Sequence, residues 1–216
     1  MQKAIKAAQK HMSNFDSSHD FTHIQRVVGL AHEIYFETKK ANPETQLNKD
    51  IITLGALLHD VGDRKYLKSG EDGNKVVFDL LITLGAPSVL ATEIQTIVSG
   101  VSYSSEVTNL QHVRDLIVAH PELAVVQDAD RLDSIGSIGI GRVFSYGAAK
   151  TTRGMEESVE MMEEKLLKLE GLMKTEPGKQ MAHERSKRIK IFKEWWAEEI
   201  KNEKVGHGIL GLGLPN

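Results

Sequence analysis

Histidine and aspartate recur together in three short stretches of this 216-residue chain: HDFTH (19–23), HD (59–60) and DADRLD (128–133). Imidazole nitrogen mixed with carboxylate oxygen is a ligand set for Mn, Fe, Co, Ni or Zn, and carboxylates also suit Mg. His19 and His23 are four residues apart and would share one face of a helix. Asp128 and Asp130 are two apart, about 200° around a helix, so one cannot stand in for the other. Asp133 shares a face with Asp130 and is spaced to orient a neighbour. Taken singly, each stretch has an ordinary structural explanation: a core or surface histidine, a helix end, a solvated acidic face. Residues so far apart in sequence meet at one point only if helices bundle around them, as in the metal-bearing cores of helical bundles.

The elements available to position them read as helices. Ile24, Val27, Val28, Ala31, Ile34 and Tyr35 predict an amphipathic helix over 20–40, with Ser17, Ser18 and Asp20 as cap candidates. ANPET breaks the chain, and Ile51, Leu54, Leu58 and Val61 predict a stripe over 47–61, ended by Gly62. A polar loop, DRKYLKSGEDG, leads to a helix from about 71 to 84, and GAP separates it from another to about 99. GVSYSSEVTN reads as irregular or one short strand, and Pro121 opens the helix that carries Asp128, Asp130 and Asp133. Residues 136–147, with four glycines, read as a tight turn and a short helix. Residues 155–175 and 178–203 read as two long amphipathic helices, broken near EPG. Alternating strand patterns are absent, which excludes Rossmann and barrel architectures. The expectation is one all-α domain over 1–204, with its core at about 15–150, a late helical hairpin at 155–203, and a flexible glycine-rich tail at 205–216.

Composition narrows the classes. The chain is 40% hydrophobic and 26% charged, the balance of an ordinary globular protein. A formal charge of −3 gives no general attraction to nucleic acid or anionic membrane. The absence of cysteine removes disulfides, thiolate zinc sites and thiol nucleophiles, and fits a reducing compartment. MQKAIKAAQKHM lacks the apolar core of a secretory signal, and nowhere do 18 apolar residues run together. A soluble, cytoplasmic location is expected. In the basic segment KTEPGKQMAHERSKRIKIFKEWW, Met181, Arg185, Ile189, Phe192 and Trp196 form one stripe, a packing face rather than a nucleic-acid surface.

Taken in order, HDFTHIQRV (19–27), LLHDVGD (57–63) and DADRLD (128–133) resemble the HD-domain metal-dependent phosphohydrolase superfamily. QDADRLDSIGSIGIGRVFSYG and EKLLKLEGLMKTEPGKQMAHER resemble its small stand-alone members, so the likeness spans roughly residues 15–200. One departure is MMEEKLL, where those members carry an aromatic-rich stretch. The resemblance implies an HD-type helical bundle with a metal site in the bundle core. One divalent ion is implied, Mn foremost with Mg, Co, Ni, Fe or Zn as alternatives, held by His23, His59, Asp60 and Asp130. Asp128 is then expected beside the ligands or toward substrate.

Such a site lowers the pKa of bound water and polarises a phosphoryl oxygen. Cationic side chains near it are expected to bind phosphate: Arg26, Arg64, Lys65 and Arg131. His19, one turn from a ligand, is expected to touch substrate or a bridging water. Asp63 is the first choice for proton donor or base, with Glu71 and Asp72 as alternatives. Tyr66, Phe78, Tyr103, Phe144 and Tyr146 are available to stack a base.

The implied activity is hydrolysis of a small phosphate substrate, a nucleotide, in the manner of a nucleoside triphosphate pyrophosphohydrolase. The alternatives are a phosphatase or 5'-nucleotidase on another small phosphate ester, or a catalytically inactive ligand-binding HD protein. A membrane or nucleic-acid partner is not expected, and a homodimer is left open. An oxygenase on the same helical scaffold needs more histidines between the HD pair and the last aspartate. Only His112 and His120 lie there, neither in an H-x-x-x-H-D setting.

Overall fold

The structure, a computed structural model, describes residues 1–13, 20–61 and 72–211, with only the backbone at Ser105. Twelve α-helices run through these residues: α1 (Gln2–Met12), α2 (Phe21–Ala41), α3 (Lys49–Leu58), α4 (Val76–Thr83), α5 (Ser88–Val101), α6 (Tyr103–Thr108), α7 (Leu110–Ala119), α8 (Glu122–Asp133), α9 (Gly136–Lys150), α10 (Met155–Met161), α11 (Glu176–Glu199) and α12 (Lys201–Ile209). No strand occurs among the described residues. None of their helices is long and apolar enough to cross a membrane.

The periodic stripes become the core. In α2, Ile24, Val27, Ala31 and Ile34 are buried, and in α3 Ile52, Ala56 and Leu58 are sealed from solvent. Asp20 caps α2, its side chain accepting from the backbone N–H groups of Thr22 and His23. A Cβ on Gly55 would stand 3.2 Å from Val126 and 3.3 Å from Ile97, so its absence lets α3 lie close against α8 and α5.

Helix α8 is the centre of the bundle. Every residue from Glu122 to Asp133 is buried except Asp130. Its buried polar side chains are each fastened to a different element. Glu122 accepts from the backbone of Asn48 at the start of α3 (2.7 Å), and Gln127 donates to Gly100 O in α5 (2.7 Å). Asp128 accepts from Lys174 N and from Thr175 N and Oγ1, at the threshold of α11. Arg131 donates to Glu106 of α6 and to Leu172 O. Such satisfaction is required of buried charge, because an unpartnered one costs several kcal/mol.

Four local expectations change. GVSYSSEVTN is not irregular or a strand: Tyr103–Thr108 is helical, because buried Glu106 is held by Arg131 and Lys174. Residues 136–147 belong to a full-length helix, α9. Its glycines serve close approach, since a Cβ on Gly139 would lie 2.3 Å from Ser134 O. The segment 155–175 is not one α-helix; after α10 comes a π turn (Met162–Leu166) and a 3-10 stretch (Leu167–Leu172). The wide turn and the tight one together keep Val159, Met162, Leu166 and Leu169 facing the core. Residues 205–209, expected in the flexible tail, continue as α12, which buries no side chain.

The latch between α8 and α11 is tight. A Cβ on Gly178 would fall 2.4 Å from Asp128 Oδ2 and 2.7 Å from Thr175 Oγ1. Gly178→Ala is therefore expected to lower stability by about 1–3 kcal/mol, measured by urea unfolding. An unchanged midpoint would show that the latch yields freely.

Candidate metal centre

Three helices deliver four side chains to one place. His23 comes from the first turn of α2, His59 and Asp60 from the end of α3, and Asp130 from the one open position of α8. His23 Nε2 lies 3.3 Å from His59 Nε2, 3.5 Å from Asp60 Oδ2 and 3.5 Å from Asp130 Oδ1. His59 Nε2 lies 3.4 Å from Asp60 Oδ1 and 3.6 Å from Asp130 Oδ1. His23 and His59 are nearly sealed from solvent, whereas the Asp130 side chain is 28% exposed and gives the cluster an open side.

The remaining nitrogens are anchored. His59 Nδ1 lies 2.8 Å from Ala56 O, a carbonyl that can only accept, so Nδ1 carries a proton and Nε2 is the nitrogen turned to the cluster. His23 Nδ1 lies 2.7 Å from Asp133 Oδ2. Burial works against a charge on His59, yet Asp60 and then Asp130 push its pKa up to about 10. Burial also opposes ionisation of Asp130, but His59 and His23 hold it below the ordinary carboxylate value. A cluster of this charge pattern favours a bound cation, whether proton or metal.

The donor set fits a divalent ion. Ligand atoms about 2.1 Å from one centre stand about 3.0–3.5 Å from each other, close to the separation of the two imidazole Nε2 atoms and to their distances from the Asp60 and Asp130 oxygens. His23, His59 and Asp60 alone form a buried trio with donor atoms within 4.8 Å of one another.

Other sequence-predicted residues fall elsewhere. Arg26 grips Asp133, with Nε 2.6 Å from Oδ1 and Nη2 3.0 Å from Oδ2, instead of standing free for phosphate. Both Asp128 oxygens are held at the α11 threshold and the two terminal nitrogens of Arg131 by Leu172 O and Glu106, so the structure places both side chains as anchors of α8. Asp72 is exposed and caps the turn before α4, accepting from Asn74 N at 2.9 Å. Gln95 fastens that turn from α5, accepting from Val77 N and Phe78 N and donating to Gly73 O. Phe144 packs against Phe192 and Trp196 rather than being available to a base. His19, Asp63, Arg64, Lys65, Tyr66 and Glu71 lie outside the described residues.

Sequence reasoning missed Arg142. Its Nη1 stands 2.7 Å from Asp133 Oδ2 and 2.9 Å from His23 Nδ1. The signal was the glycine pattern after Asp133, which marks a chain reversal that folds α9 back toward α8.

Comparison with known proteins agrees with this geometry. The HD domain family model matches residues 20–135, the span holding all four clustered side chains. The Bacillus subtilis (strain 168) protein YpgQ is 32% identical over 183 residues, 82% of each chain. The crystal structure of YpgQ in complex with ADP is similar with a TM-score of 0.70 at 28% identity, covering 92% of this chain and 97% of that one. An HD-superfamily hydrolase from Bacillus thuringiensis is similar with a TM-score of 0.68 at 31% identity, covering 93% and 96%.

Proposed function

This chain belongs to the HD-domain family, and on that premise we propose that it is a divalent-metal-dependent phosphohydrolase of nucleotides, releasing pyrophosphate from a nucleoside triphosphate. The observation that carries the reading is that the Nε2 atoms of His23 and His59 lie 3.3 Å apart, with carboxylate oxygens of Asp60 and Asp130 3.4–3.6 Å from them. A divalent ion, when bound to such donors, makes coordinated water a nucleophile near neutral pH and polarises a phosphoryl oxygen.

The chain's own residues do the positioning. Anchored Nδ1 atoms turn both imidazole Nε2 atoms to the same point, and Asp60 and Asp130 supply the negative charge that favours a cation there. The open flank at Asp130 is the side from which a phosphate can enter. The sequence resemblance supports Asp63 as the proton donor or base; Glu71 and Asp72 are the alternatives by position, as are His19, Arg64 and Lys65 for contact with substrate. The ADP complex of YpgQ, together with the likeness in fold, supports a nucleotide as the ligand class.

The test is metal analysis of protein purified without chelator, followed by a nucleotide panel with Mn, Mg, Co and Ni. One divalent ion per chain, and nucleoside monophosphate plus pyrophosphate as products, are expected. Nucleoside plus phosphate would replace pyrophosphohydrolysis with 5'-nucleotidase chemistry. Metal-loaded protein that hydrolyses no nucleotide would overturn the reading.

A further inference from the structure

The buried carboxylate behind the cluster does more than fill space. Asp133 and His23 have side chains only 1% exposed, and the pair lies behind the histidine face that meets His59, Asp60 and Asp130. Oδ2 of Asp133 is approached by His23 Nδ1 at 2.7 Å, Arg142 Nη1 at 2.7 Å and Arg26 Nη2 at 3.0 Å. Oδ1 accepts from Arg26 Nε at 2.6 Å. An ionised carboxylate can only accept, so the proton between His23 and Asp133 belongs to Nδ1. Nε2 is thereby left with its lone pair facing the cluster. A displaced Asp133 would release this constraint and let the proton sit on Nε2, where it would block ligation.

The two arginines differ in how firmly they hold. The Arg26 side chain is 33% exposed and within reach of water, whereas that of Arg142 is 13% exposed. The chain also builds a dedicated route for Arg142. Gly136 has φ +71°, which side chains rarely adopt, and Gly139 has no room for a Cβ beside Ser134 O. With both glycines, α9 starts three residues beyond α8 and doubles back, so that Arg142 arrives over the end of the helix it has just left.

We propose that Arg142 is a positioning residue of the metal centre, acting through Asp133 to hold His23 in the Nδ1–H tautomer with Nε2 directed at the ion. This rests on the reading of the cluster as a metal site. A wrongly held ligand costs affinity without unfolding the protein, and loss of such an outer partner typically weakens metal binding 10–100-fold.

The experiment loads ¹⁵N-histidine-labelled protein with zinc, a diamagnetic probe, and reads the zinc Kd and the His23 nitrogen shifts in wild type, Arg142→Gln and Arg142→Lys. Wild type is expected to bind zinc with Nδ1 protonated. Arg142→Gln should bind about 10–100-fold more weakly and lose the fixed tautomer, with its far-UV circular dichroism unchanged. Arg142→Lys should recover most of the affinity, which a purely packing role would not predict. Zinc binding by wild type, with Kd and tautomer unaltered in Arg142→Gln, would overturn the role of Arg142 alone. So would a wild-type tautomer in which Arg142 donates to a bare Nδ1. No zinc binding by wild type would instead remove the metal reading on which the proposal stands.

Discussion

Replacing His59 or Asp60 with alanine is expected to abolish metal binding and to lower hydrolysis by about 10³-fold or more, while helix content stays unchanged. Several kcal/mol of charge stabilisation is at stake at such a centre, and each 1.4 kcal/mol or so is tenfold in rate. The fold should survive because His59 only closes α3, whose buried Ile52, Ala56 and Leu58 remain in place. The same site predicts a pH effect. With Asp60 and Asp130 holding His59 up at about 10 in metal-stripped protein, an entering ion must displace a proton. Metal affinity should therefore climb by about tenfold per pH unit from pH 6 to pH 9, with proton release visible as a buffer-dependent heat of binding. Unchanged metal content and activity in both alanine variants would end the site assignment. A pH-independent affinity would show that His59 is neutral before the metal arrives.

Asp133→Ala should be the most destabilising single change around the site. It leaves Arg26, Arg142 and His23 without their shared acceptor. Breaking a buried ion pair by removing one partner costs about 3–5 kcal/mol, and the partial exposure of Arg26 places this case toward the lower end. Burial alone would raise the Asp133 pKa, but hydrogen bonds from His23 and Arg26 and the charge of Arg142 hold it far below the usual carboxylate range. Its folded value is thus depressed relative to the unfolded one, about 4. The stabilisation is then full above that pH and lost as pH falls toward the folded value. Urea unfolding at pH 7 and pH 3 checks this: the deficit of the variant should shrink at the lower pH. Equal deficits would show that lost packing, rather than lost pairing, carries the effect.

The four clustered side chains were legible in the sequence because their motifs occur together in the order of a known family, although each taken singly had an ordinary structural explanation. His23 follows a capped helix start, His59 and Asp60 end an apolar stripe, and the turn geometry of α8 separates Asp130 from Asp128. What occupies the other faces of α8 was not legible. Arg26 reaches Asp133 across 107 positions and Arg142 reaches His23 across 119, pairings that only the packed bundle decides. Arg26, Asp128 and Arg131 carry the charges that phosphate recognition needs, so residue type alone could not separate a substrate contact from a buried anchor. Helix α6 was hidden for a related reason. SYSSEVT has weak local preference for any state, and its conformation follows from the pairing of Glu106 with Arg131 and Lys174.

The fastening of α8 on every side bears on how this centre can change over time. One residue inserted in the middle of the helix would turn everything beyond it by about 100°. Ala129 would then take the place of Asp130, while Asp128, Arg131 and Asp133 would each be buried against the wrong neighbour. Lengthening or shortening is tolerable in α12, which buries nothing, but not in α8. Variation in this centre is therefore confined to substitutions at its open flank, with the helix that carries Asp130 fixed in length.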